Sequence, residues 1–146
     1  MDDIDRLSAE VVDAAVRIHR DLGPGLLESV YETVLAGSIE RSDFSVDRQK
    51  PVDIRFDGLL FPGAFRADLI VGGRLIVEIK SVERLERVHG KQLLTYLRLL
   101  HQPVGLLLNF GGETMKEGIR RIVNGYLPAG NPSASPRLRV KQEYGD

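Results

Sequence analysis

Three residues interrupt otherwise apolar, strand-like stretches. Asp68 sits in Arg66-Ala67-Asp68-Leu69-Ile70-Val71, and Glu78 and Lys80 sit in Leu75-Ile76-Val77-Glu78-Ile79-Lys80. Glu78 and Lys80 are two apart, so on a strand their side chains leave the same face. Two carboxylates that converge can hold a hard divalent cation, with water completing its shell. Such an ion stabilises charge on a phosphoryl oxygen and lowers the pKa of a bound water. A lysine beside the acid could hold that water or neutralise the transition state. The chemistry such a site could support is metal-assisted hydrolysis of a phosphoester, as in a nuclease. Taken alone, Glu-x-Lys also describes a solvated ion pair, which contributes little to stability.

Whether the acids converge depends on the turn between them. With a two-residue turn at Gly72-Gly73, Val71 faces Arg74, and Asp68 and Glu78 point to opposite faces. A three-residue turn over Gly72-Gly73-Arg74 pairs Val71 with Leu75 and puts Asp68 across from Glu78. A bulge near Asp68 also restores convergence. A metal site therefore predicts an odd loop or a bulge in this hairpin. Two more groups could contribute. His89, Gln92 and Tyr96 fall at i, i+3 and i+7, on one face of a predicted helix, and Glu28, Tyr31 and Glu32 share a face of an earlier one. Each has a plain structural alternative: Tyr96 as a core aromatic with its hydroxyl satisfied, His89 as a surface residue, Glu28 as a first-turn acid favoured by the helix dipole.

The elements that must position these residues follow from hydrophobic periodicity. Ile4, Leu7, Val11, Ala14, Ala15 and Ile18 predict a helix over 3–21, stopped by Gly23-Pro24-Gly25. A second helix is expected over 26–41, with Leu27, Val30, Val34, Leu35 and Ile39 inward. The period then becomes two: Val52, Ile54 and Phe56 alternate, and Asp57-Gly58 marks a hairpin. Leu59 to Phe61 begins the return, which Pro62-Gly63 should interrupt before a strand over 65–71. Leu75 to Lys80 is apolar on both faces and should lie centrally in a sheet. A third helix over 84–101, a buried strand over 104–110 and a last helix over 113–125 complete the order. An antiparallel meander, a helix and a later strand imply an α/β fold with a mixed sheet and helices packed on it.

With 146 residues, one core is the default, expected over 1–126, followed by a Pro/Gly/Ser-rich, basic and mobile tail over 127–146. Cysteine is absent, which excludes disulfides, thiolate zinc sites and cysteine nucleophiles, and only three histidines are present. Oxygen ligands favour Mg2+ or Mn2+. An acidic N-terminus and the lack of a long apolar run predict a cytoplasmic protein with no membrane partner. The net charge of −1 hides an asymmetry, −6 over residues 1–43 and +5 over 44–146. A phosphate-binding face would come from the later part, with Arg66, Arg74, Lys91 and the tail as candidates. Apolar residues left exposed on the first two helices could make a homodimer.

Gly25-Leu26-Leu27-Glu28-Ser29-Val30-Tyr31-Glu32, then Arg66 to Val71, Ile76 to Lys80, His89-Gly90-Lys91-Gln92-Leu93-Leu94-Thr95-Tyr96-Leu97 and Asn109-Phe110-Gly111 occur in an order that resembles the GxxExxY proteins of the PD-(D/E)XK nuclease-like superfamily. The match covers about residues 5–125. It implies a restriction-endonuclease-like αβββαβ core with an extra N-terminal helix. It also implies Asp68, Glu78 and Lys80 as the D…ExK triad, Glu28 as an additional acid, and Gln92 with Tyr96 facing the site. The expectation is a metal-dependent nuclease in which Asp68, Glu78 and Glu28 bind Mg2+ or Mn2+ and Lys80 positions the attacking water. Gln92, Tyr96, Tyr31 and His89 would order the substrate or the metal's shell. The alternative is a catalytically silent module that binds nucleic acid or a protein partner.

Overall fold

In the computed structural model the described residues are 3–125 and 140–143. The first apolar stripe builds α1 (Ile4–Leu22), whose N-terminus is capped by Asp3 accepting from the Asp5 N–H. Gly23 ends it with φ +77° and an N–H bond back to His19. Helix α2 (Glu28–Arg41) follows, with Leu35 and Ile39 inward as expected but the buried face rotated away from Leu27, Val30 and Val34. It buries Tyr31, Glu32, Leu35, Ala36, Ser38 and Ile39, and leaves Leu27 74% exposed with Val30 and Val34 also outward. The cause is Tyr31, whose ring is fully buried and stacks on Phe110 at 4.5 Å. Burying one aromatic with its hydroxyl satisfied outweighs exposing two small valines.

Strands β1 (Val46–Phe56) and β2 (Leu59–Val71) form a long hairpin. Asp57 and Gly58 both have positive φ, as a two-residue I′ turn requires. Pro62-Gly63 does not interrupt β2. The register shifts between Val52 and Ile54, and the Asp53 carboxylate accepts the Gly63 N–H at 2.9 Å. A bulge thus absorbs the proline, which needs no ladder bond there.

Strand β3 (Leu75–Lys80) is central, antiparallel to β2 and parallel to β4 (Val104–Asn109). The parallel pairing needs a crossover, supplied by α3 (Arg87–Leu100). This helix starts later than expected, because Glu86 and His89 close a capping box around its first turn. The last expected helix is also corrected. Only α4 (Met115–Gly118) is helical, and Ile119–Asn124 is strand β5, antiparallel to β4. Ile119, Ile122 and Val123 are β-branched and suit a strand, and β4, buried along its whole length, needs a partner for its outer ladder. Of the segment expected as a tail, only β6 (Val140–Glu143) is described. It pairs with β5 rather than hanging free, and the rest lies outside the described residues.

Among the described residues the sheet runs β1-β2-β3-β4-β5-β6. Helices α1 and α2 cover one face over Leu69, Val71, Leu75, Val77, Ile79, Leu106 and Leu108. Helix α3 covers the other over Ile54, Phe65, Ala67, Ile76 and Leu107. One detail breaks the two-residue alternation. Phe65 and Ala67 face α3, whereas Leu69 and Val71 face α1 and α2. On β1, Val46 packs toward α1 and α2 while Val52 and Ile54 pack toward α3. Both strands therefore change facing at Gln49 and Asp68. None of the described helices is long and apolar enough to cross a membrane.

Candidate active site

The β2–β3 ladder pairs Val71 with Leu75, Ile70 with Ile76 and Leu69 with Val77, so the turn holds three residues, Gly72 to Arg74. This is the odd loop that convergence requires, and Asp68 and Glu78 come next in register. There the strands stop exchanging backbone bonds and the acids take over. The Asp68 N–H donates to Glu78 Oε2 at 3.0 Å, and the Ile79 N–H donates to Asp68 Oδ2 at 2.8 Å. Both acids are half-buried, as is Lys80.

The end of β3 is fixed from two sides. Phe110 N–H donates to the Lys80 carbonyl at 2.9 Å. The buried Asn109 amide accepts from Val82 N–H and donates to the Val82 carbonyl, both at 2.9 Å. On the α2 side, Glu28 Oε2 accepts from Ser81 N–H at 3.3 Å, and Ser81 Oγ donates to the Leu26 carbonyl at 2.7 Å. Glu28 thus reaches the same strand end from the first turn of α2. Its carboxylate acts on Glu78 through space.

Burial pushes the Glu78 carboxyl up to about 8; the Asp68 charge adds to the rise and Glu28 adds less, against the Asp68 N–H bond and Lys80, which pull it down. Tyr96 is raised as well, first by burial and then by Glu78 and Asp68. Its ring lies flat on Phe65, with centroids 3.8 Å apart. Helix α3 therefore brings Tyr96 within electrostatic reach of both acids, and Gln92 stands exposed one turn earlier.

Two expected positioning residues are occupied elsewhere. The Tyr31 hydroxyl donates to the Gly23 carbonyl at 2.6 Å and accepts from Leu26 N–H at 3.2 Å, so it shapes the loop before α2 from inside the core. His89 Nδ1 accepts from Glu86 N–H at 3.0 Å and serves the α3 cap. Of the basic candidates, Arg66 and Lys91 are exposed. Arg74 precedes β3 and lines a cavity of about 320 Å³ with Lys50 and Gln102, at the opposite end of the strand from Lys80.

Gln49, Ser81 and Asn109 are contributors that the sequence reading gave no role. Gln49 Nε2 donates to Glu32 Oε1 and, at 3.2 Å, to Asp68 Oδ1. Its backbone is left-handed, φ +49°, in the middle of β1, a conformation that costs a non-glycine residue on the order of 1–3 kcal/mol. Nothing in Asp47-Arg48-Gln49-Lys50 signals it. Ser81 carried a weak signal, following Lys80 directly.

Among the described residues no three His, Cys, Asp or Glu side chains form a ready-made metal cage. The arrangement is instead an interlocked acid pair with a third carboxylate behind it and an ammonium on the same strand. Crowded negative charge with oxygen donors is what a hard divalent ion relieves.

No curated protein and no solved structure matches the chain. A family model, the PD-(D/E)XK nuclease superfamily, matches residues 5–122, which spans both N-terminal helices, the acid pair and the sheet through β4 and most of β5. The chain belongs to the PD-(D/E)XK nuclease superfamily.

Proposed function

We propose that the protein is a divalent-metal-dependent nuclease that hydrolyses phosphodiester bonds in nucleic acid, and that within the superfamily it is a GxxExxY protein. The observation that carries the reading is the parting of β2 and β3 at Asp68 and Glu78, with Lys80 on the same strand and Glu28 brought in by Ser81. Asp68, Glu78 and Glu28 would hold Mg2+ or Mn2+. When bound, the ion supplies charge stabilisation at a phosphoryl oxygen and a more acidic water.

The chain's own groups do the rest. Lys80, an ammonium two residues from Glu78, holds the attacking water or offsets charge on the phosphorane. Tyr96, its hydroxyl held protonated well above neutral pH by burial and the two acids, donates to a phosphate oxygen. Gln92 orients substrate from the exposed face of α3. The test is incubation of DNA and of RNA with Mn2+, comparing wild type with Asp68→Ala, Glu78→Ala and Lys80→Ala. Cleavage lost in all three supports the site, and metal-dependent cleavage surviving in them overturns it.

The net charge of −1 favours one second reading, a nuclease-like module that binds without cutting. It predicts retention of nucleic acid that weakens steeply with salt, with no product at any Mn2+ concentration.

A further inference from the structure

Gln49 joins α2 to Asp68 through a single amide nitrogen, and we propose that it is a positioning residue for Asp68, holding that carboxylate through a bridge anchored on Glu32. The proposal rests on the reading of Asp68 as part of a metal-dependent hydrolytic site.

The bridge uses the donors of one amide group. Gln49 Nε2 donates to Glu32 Oε1 and to Asp68 Oδ1, and a carboxamide NH2 carries two protons. Ionised carboxylates only accept, so the NH2 and not the amide oxygen must face them. The anchor is itself fixed. Glu32 is only 6% exposed, and its other oxygen takes Nε and Nη2 of Arg48, both at 3.1 Å. Arg48 Nη2 in turn donates to Thr33 Oγ1 at 2.8 Å. A buried carboxylate kept by this chain of donors accounts for the polar position on the inner face of α2.

Asp68 is thereby gripped at both oxygens, Oδ2 by the Ile79 N–H and Oδ1 by Gln49. Two donors from two different strands fix the plane of the carboxylate. The backbone points the same way. Gln49 is left-handed between the paired residues Arg48 and Lys50, where glycine would sit without strain. Backbone strain of this kind clusters at functional sites, and here it aims the Gln49 amide at both acids.

The test titrates Mn2+ alone into the full chain and follows thermal unfolding, for wild type, Gln49→Gly and Gln49→Met. Gln49→Gly removes the bridge and relieves the backbone, so the metal-free melting temperature should hold. The Mn2+ concentration at half-effect should rise roughly 10–100-fold, as loss of a group orienting a metal-binding side chain does. Gln49→Met keeps the length of the side chain without its donors. Should the glycine variant melt early, the methionine variant must show the same rise. A Mn2+ midpoint equal to wild type in both variants overturns the role of Gln49 while leaving the hydrolytic site standing. Wild-type protein that takes up no Mn2+ overturns both.

Discussion

Glu78→Gln offers the sharpest test of the electrostatics at the acid pair. Glutamine keeps an oxygen to accept the Asp68 N–H but carries no charge. In the folded protein the Glu78 carboxyl is raised from 4.5 to about 8, first by burial, then by Asp68. Between those values the folded chain keeps a proton that the unfolded chain has released. Wild-type stability from this group is therefore complete below pH 4.5 and falls as pH climbs through about 8. At 1.36 kcal/mol per unit the full effect is about 5 kcal/mol, and relaxation around the charged form brings it to roughly 2–5 kcal/mol. For a chain of this length that corresponds to roughly 5–15 °C in melting temperature. The assay is thermal unfolding of both proteins in chelator from pH 5 to pH 9, read as the variant minus wild type. The two should coincide near pH 5, and the variant should melt higher by pH 9. Mn2+ at pH 8 should raise wild type and leave the variant unmoved. A difference that stays flat across the whole range would refute the reasoning, because it would mean Glu78 ionises as freely folded as unfolded.

Two further substitutions separate structure from chemistry. Tyr31→Phe keeps the stack on Phe110 but removes the hydroxyl that bonds Gly23 and Leu26. It should cost about 1–2 kcal/mol in denaturant unfolding while metal-dependent cleavage persists, and lost cleavage at unchanged stability would return Tyr31 to the substrate side. Gly118→Ala would place a Cβ 2.1 Å from the Asn109 carbonyl oxygen. Overpacking against backbone should cost about 1–3 kcal/mol or more and lower the melting temperature accordingly, so a neutral result would mean that α4 does not dock on β4 as described.

Where local chemistry dictated structure, the sequence could be read. Asp57-Gly58 specified its turn type, and the apolar run of Leu75 to Lys80 specified a covered strand. The requirement that Asp68 face Glu78 predicted an odd loop or a bulge in this hairpin, and the three-residue loop at Gly72 to Arg74 is the first of these. Other features depend on partners remote in the chain. The buried face of α2 was decided by Phe110 and by Arg48 with Gln49, none of them visible in the helix's own pattern. Residues 119–124 carry a stripe that suits a helix, yet β4 required a strand beside it. Gln49 was illegible because its signal is a backbone angle and a bridge between two acids, and neither is a property of residue type.

The seam between β2 and β3 has a consequence for how occupancy could be sensed. Its open end is closed by side chains, so the amide hydrogens of Asp68 and Ile79 are guarded by the oxygens that a cation would seek. Loading the centre and zipping the two strands therefore draw on a shared set of atoms. Deuterium uptake at those two amides becomes a built-in gauge of whether the centre is filled, readable without any substrate at all.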